Sequence, residues 1–345
     1  MVICIRMFRP KRVLQGYVLL IFVFIPSVWW IYLKSSISML QDGKWNQMEE
    51  DKSTKMETIS NNNEENVIYP LKINHIPASI RRKYEKFLHE IYKDDQKYQK
   101  ELKKMLRSQE ESNNVEFKDD FLRIFLLKNN YSVQDAFRMV LYFLDLRNKH
   151  SYFFKKIEVD FTTIPSGQFV TVLPQRHPDG TAIVLAELGK WMPEELSFED
   201  FKSIARLTLY QELRNPVTQV TGFRFIYDFA NTGYQHLKYC TPMNMYLLYH
   251  ATFKCFPGNY LEVHFVNTNF VFSTLLTCFK PFLVESIRKI LYFHSSVEDL
   301  LNYFPSSTLP TKYGGTLTEY YMADYLKRAN EEQGDFPLGG LKNLF

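Results

Sequence analysis

Three apolar runs of strand length alternate with stretches of helical period, and that order restricts the fold of this chain more than any other feature. The runs are Thr181-Ala182-Ile183-Val184-Leu185-Ala186, Phe223-Arg224-Phe225-Ile226-Tyr227-Asp228-Phe229 and Tyr260-Leu261-Glu262-Val263-His264-Phe265-Val266. Between the first two, residues 198–214 place Phe201, Ile204, Ala205, Thr208 and Leu209 on one helical face. Between the second and third lies a further helical stretch, 242–256. Strand, helix, strand, helix requires crossover connections, so the strands should pair in parallel and the fold class is α/β. Phe223, Phe225 and Tyr227 alternate onto one face, as in a strand with one side towards a cavity. The same pattern also suits a filled aromatic core.

Composition narrows the function classes. A chain of 345 residues can bury a sizeable core, and its 29 Phe and 22 Tyr suit either a deep apolar cavity or an aromatic-rich filled interior. The formal net charge of +4 is small, so no nucleic-acid partner is expected. Cys4, Cys240, Cys255 and Cys278 are widely spread, with no C-x-x-C pair and no His at zinc-ligand spacing. Free thiols in a reducing compartment and no metal site are the expectation.

No H-E-x-x-H, G-x-S-x-G, P-loop or G-x-G-x-x-G occurs, so neither a catalytic set nor a cofactor is expected. Glu262 and His264 share one strand face, as a polar pair at a cavity wall or an ordinary surface pair. Asp228 ends the middle strand, where it could serve an active site at the sheet's C-terminal edge or cap the following turn.

Residues 13–33 carry no charge and are long enough to span a bilayer; Arg6, Arg9, Lys11 and Arg12 precede them, and Trp29, Trp30 and Tyr32 form an aromatic belt. Residues 1–40 are therefore expected to be a membrane anchor or signal-like segment, with a cleaved signal peptide as the alternative. Residues 41–68, rich in Asp, Glu, Asn, Ser and Lys, read as a disordered linker. Helical character begins near Ile80, with Ile80, Tyr84, Phe87, Leu88, Ile91 and Tyr92 in a stripe and the Lys-rich 97–107 stretch as the solvated face. Phe121 to Lys128, followed by a helix capped by Ser132, completes a small helical module over 69–155.

Towards the C-terminus the chain reads Lys280-Pro281-Phe282-Leu283 and then Leu309-Pro310-Thr311-Lys312-Tyr313-Gly314-Gly315. Two adjacent glycines there need positive φ or very close approach of another segment. Several motifs fall in one order: the Leu-Arg-x-Phe-Leu run at 122–126, Gly189-Lys190-Trp191-Met192-Pro193, Gly222 to Asp228, Thr241-Pro242, Phe256-Pro257, and His264-Phe265-Val266-Asn267. The Lys-Pro-Phe-Leu and Gly-Gly elements close the series. Over about residues 115–317 this order resembles the CRAL-TRIO domain, the lipid-binding fold of tocopherol and retinaldehyde carriers.

The resemblance implies a mainly parallel sheet floor, helical walls, a movable lid helix and a small all-helical module in front. The lipid-binding domain would span 160–320, with 321–345 as a tail. It implies non-enzymatic binding and intermembrane transfer of one small hydrophobic lipid, tocopherol-like or retinoid-like, by a cytoplasmic-facing monomer that meets a membrane surface. A membrane-anchored lipid sensor or tether is the alternative. By position the cavity lining would be Ala205, Thr208, Gln211, Phe223, Tyr227, Leu248, Ala251, Thr252, Phe256, Tyr260 and Val263. The lid, 267–283, would present Phe270, Val271, Leu275 and Phe279. Carriers of this family hold a phosphoinositide headgroup with basic residues that are here Asn259, Leu261, Ser286 and Ile290, none of them basic. Lys280, Arg288 and Lys289 leave a weaker basic patch for a phosphate, so phosphoinositide docking stays open. Positive residues ahead of the 13–33 run would send the remainder of the chain into the lumen, against the cytoplasmic habit of the family.

Overall fold

The computed structural model describes Arg82 and residues 94–109, 112, 115, 117–154, 157–269, 272–273, 276 and 283–331. The 13–33 run, the 41–68 linker, the Ile80 to Tyr92 stripe and Phe270, Val271, Leu275, Phe279 and Lys280 lie outside these residues. Among the described residues no helix is long and apolar enough to cross a membrane. The described residues up to 240 and from 246 onward fall in one compact unit.

The helical module begins with α1, Asp95–Arg107, whose buried Asp95, Gln99, Leu102 and Leu106 recur at helical spacing while its lysines point outward. Asp95 is buried without penalty because it accepts hydrogen bonds from Gln99 Nε2 at 2.7 Å, Arg123 Nε at 2.9 Å and the Tyr131 hydroxyl at 3.0 Å. That carboxylate fastens α1 to α2, Asp119–Lys128, and to the turn before α3, Val133–Lys149. Ser132 caps α3 as its sequence position requires, its Oγ accepting from the Asp135 amide. Phe121 packs on Phe125 and Phe143 at centroid separations of 4.9 and 5.5 Å.

The sheet has five strands in the order β1 Val170–Val172, β2 Ala182–Glu187, β3 Phe223–Asp228, β4 Tyr260–Val266 and β5 Leu291–Phe293. β2, β3, β4 and β5 run parallel, as the alternation of strands and helices predicts, and β1 pairs antiparallel on the outside. One row across the sheet reads Val184, Phe225, Val263, Leu291. The two edge strands escape sequence reading because three residues are too few to show a period of two. The crossovers are α4, Phe198–Glu212, capped by Ser197, and α7, Pro242–Tyr249, which continues as a π-helical turn over His250–Lys254. Between α4 and β3 sits α5, Pro216–Thr221, with Pro at its first turn and Gly222 after its end at φ +81°, a conformation glycine adopts freely. Past β3 come the single turn α6, Tyr234–Leu237, and after β4 the short α8, Glu285–Lys289.

Residues beyond 320, which the sequence leaves as a tail, include α9, Ala323–Glu331. Leu326 of α9 is fully buried, and the Tyr325 hydroxyl donates to Glu212 Oε2 at 3.1 Å. Glu212 also pairs with Arg176 and accepts from Thr218 Oγ1 at 2.6 Å, so one buried carboxylate gathers four segments.

The sheet separates two apolar layers. Ala182, Val184, Phe223, Phe225, Val263 and Phe265 face the helices, and Ile183, Leu185, Ile226 and Val266 face Leu300, Phe304, Leu309 and Tyr313. The Leu-Pro-Thr-Lys-Tyr-Gly-Gly element closes this second face. Tyr313, 1% exposed, donates its hydroxyl to Asp228 Oδ2 at 2.6 Å, and Lys312 pairs with Glu187. The two glycines divide the tasks expected of the pair. Gly314 takes φ +79°, while Gly315 lies so close to the Leu309 carbonyl that a Cβ would sit 1.9 Å from its oxygen. Gly315→Ala must therefore displace backbone, and urea titration should show a loss of about 2 kcal/mol or more. An unchanged midpoint would show that the loop has room to spare.

Candidate ligand-binding face

The helix-side face of β3 and β4 is an almost unbroken aromatic surface. Phe223, Phe225 and Tyr227 follow one another along β3 at 5.8 and 6.0 Å between ring centroids. Tyr260 stacks on Phe225 at 4.7 Å with the planes 16° apart, and Phe265 stacks on Tyr227 at 5.7 Å. Phe293 of β5 extends the row, stacked on Phe265 at 4.9 Å. At one end Phe256 meets Phe223, Tyr260 and Tyr210, and at the other Phe229 packs on Phe272 at 4.8 Å. Offset-stacked rings in parallel strands bury large apolar area at low rotamer cost. The surface is not sealed: Tyr227, Tyr260 and Leu291 are half-buried, and Phe293 is 40% exposed.

Of the expected lining, the structure brings Phe223, Tyr227, Phe256, Tyr260 and Val263 together in this cluster. Ala205 of α4 packs against it and Ala251 of the π turn does likewise. Thr208 and Gln211 are buried on α4, Thr208 spending its hydroxyl on the Ile204 carbonyl at 2.9 Å. Thr252 is half-buried and bonded to the Leu248 carbonyl at 2.7 Å, whereas Leu248 itself is 53% exposed. Phe225, Phe265 and Phe293 belong to the surface although the expected lining omits them. The alternation that marks Phe223 and Tyr227 marks Phe225 and Phe265 equally; Phe293 needed the pairing of β5.

The opposite face holds the charge. Glu262 and His264 do form a pair, at 3.1 Å, but on the side away from the aromatic rings, so they wall no apolar cavity. Side-chain direction alternates along β3 and β4, and Arg224 pairs with Glu262 there and with Asp179 at 2.8 Å. His264 also shares a 2.9 Å contact with His294. Burial, then the Arg224 charge and His177, push the His264 imidazole down to about 3. His294 is likewise lowered, by burial and by His264. Burial alone raises Asp179, yet the bonds from His177 and Arg224 outweigh it and hold that carboxyl low. Asp228 is bonded to the Ala230 amide at 2.8 Å, Asn267 Nδ2 at 2.8 Å and the Tyr313 hydroxyl. Of the two roles open to it, turn capping is therefore the one its contacts express.

Arg288 is exposed at the surface of α8 and Lys289 pairs with Glu285 at 3.1 Å, so this stretch offers a loose basic edge. Cys240 and Cys255 are free, and burial raises their thiols to about 11 and about 12, which leaves them unreactive.

The parallel sheet, its antiparallel edge strand and the closing Gly-Gly element define a class of domain. Residues 167–315 match the family model described as CRAL/TRIO domain. That stretch of the chain is similar to a CRAL-TRIO domain. Among its relatives, clavesin-1 of Rattus norvegicus is 29% identical over 213 residues, covering 61% of this chain and 60% of the relative. Clavesin-2 of Homo sapiens is 24% identical over 221 residues, covering 63% and 68%. The chain thus spans about 60% of the length of clavesin-1. A solved structure described as the crystal structure of Sfh5 aligns with 70% of this chain and 97% of its own, at 12% identity and a TM-score of 0.41.

The histidines set a pH dependence whose sign is given by their lowered values. An unfolded chain takes up protons near pH 6.5, whereas folded His264 stays neutral to about 3, so this stabilisation is full above 6.5 and drains away as pH falls. Unfolding free energy should drop between pH 7 and 5 at up to about 1.4 kcal/mol per pH unit for each such histidine. His264→Asn should flatten the slope without abolishing it, because desolvation also lowers half-buried His250, to about 4. A pH-independent stability over that range would contradict the assignment.

Proposed function

We propose that this protein is a non-enzymatic carrier that binds one small hydrophobic lipid, tocopherol-like or retinoid-like, against the aromatic face of β3 and β4 and moves it between membranes. The observation that carries the reading is the aromatic row itself, which runs from the buried Phe223 to a Phe293 left 40% exposed at the sheet edge. Leaving such rings in water costs about 25 cal/mol per Å², which favours a cover of lipid or lid. The 267–283 segment, with Phe270, Val271, Leu275 and Phe279, supplies the lid in this reading. Phe272 lies against Phe229 at the end of the row, in keeping with it. The charged groups of the sheet lie on the other face and bond to one another, which suits binding without chemistry.

The membrane partner is an expectation of the same reading. Docking would use the apolar lid together with Lys280, Arg288 and Lys289, and a phosphoinositide would find fewer cations than in the carriers it resembles.

Native mass spectrometry of the full chain after gentle purification should show a single bound lipid. Phe256→Asp should abolish that loading, since it sets an unpaired carboxylate among Phe223, Tyr210 and Tyr260. A native protein that never co-purifies with or accepts an apolar ligand would sink the carrier reading.

The uncharged 13–33 run favours one second reading, a membrane-anchored sensor or tether. Removing residues 1–34 separates the two. A carrier should still transfer a fluorescent lipid between vesicles after the deletion, whereas a tether should lose its membrane attachment and its function together.

A further inference from the structure

One polar atom on the aromatic face finds no partner among the described residues. The Tyr260 hydroxyl is buried and has no hydrogen-bond partner among the described residues. Its ring is held from three sides, stacked on Phe225 at 4.7 Å and packed against Phe253 at 5.3 Å and Phe256 at 5.5 Å, so the phenol cannot swing out to find water. A buried hydroxyl left unbonded costs more than the net gain of an average hydrogen bond. A phenylalanine at 260 would keep the apolar contacts without that cost. The hydroxyl therefore makes sense as half of a bond whose other half arrives with a ligand.

Resting on the carrier reading above, we propose that Tyr260 fixes the polar end of the bound lipid, donating its hydroxyl proton to a neutral oxygen, as of an alcohol, aldehyde or ketone. The surroundings select against charge. Tyr210 and Tyr227 lie near enough for their phenols to act electrostatically on that of Tyr260, and burial, followed by Tyr227 and Tyr210, raises Tyr260 well above its usual value. Tyr210 and Tyr227 are raised too, chiefly by burial. All three stay protonated at physiological pH, and the same desolvation disfavours a bare carboxylate, with the buried Arg206 charge near Tyr210 acting in the opposite direction. The ligand class is then a small lipid with one neutral hydrogen-bonding head on an apolar body, in preference to a fatty acid or a pure hydrocarbon.

The test uses the full chain and three fluorescent retinoid probes that differ only at one end: retinol, its deoxy hydrocarbon and retinoic acid. The native protein should bind retinol about tenfold more tightly than the hydrocarbon, and more tightly than the acid. Tyr260→Phe should bind retinol and hydrocarbon alike, and its ligand-free form should melt higher than the native protein because the unbonded hydroxyl is gone. If native protein binds retinol and hydrocarbon equally, or Tyr260→Phe keeps the native preference, the polar anchor is wrong while the carrier reading stands. If native protein binds none of the three, the anchor falls together with the retinoid form of the carrier reading. The retinol-to-hydrocarbon ratio of the unaltered protein decides the matter even if the variant folds poorly.

Discussion

The central strand β3 has to bury both of its faces, and the rest of the domain is arranged by how it does so. Flanked by parallel β2 and β4, it has no exposed edge, and its alternation sends Phe223, Phe225 and Tyr227 one way and Arg224, Ile226 and Asp228 the other. Aromatic rings on the first side can be covered by any apolar surface. The charged groups on the second side need specific partners, because an unpaired buried ion costs several kcal/mol. Hence one face can be left for a ligand, while the other is committed to internal bonds.

Those internal bonds explain the far C-terminal element. Asp228 needs donors, and one comes from Tyr313, some 85 residues later in the chain. Delivering that hydroxyl requires the chain to turn back tightly under the sheet, which Gly314 achieves by its positive φ and Gly315 by its contact with Leu309. The same strategy recurs at Asp95 and Glu212, where a single buried carboxylate collects donors from separate segments. Each site converts a desolvation cost into a fixed geometry.

The aromatic face contrasts with this economy. Its rings fit one another well, yet the row reaches the sheet edge with Phe293 40% exposed, and the Tyr260 hydroxyl has no partner among the described residues. A protein stabilised only for its own sake would have little use for either. Both are the kind of local cost that is met elsewhere when a surface must receive something else.

The sequence by itself determined the strand and helix order, the parallel pairing of β2, β3 and β4, the Ser132 cap and the need for glycine at 314 and 315. Each of these is set by local chemistry: side-chain period, a hydroxyl at a helix start, a backbone that must turn. Tertiary structure alone decided that β1 and β5 exist, since three-residue strands are created by their neighbours. It also decided which face Glu262 and His264 occupy relative to the rings, and that Leu248 stands in solvent while Phe265 and Phe293 join the aromatic surface. A period of two says which residues share a face, but only packing against other elements says what that face meets.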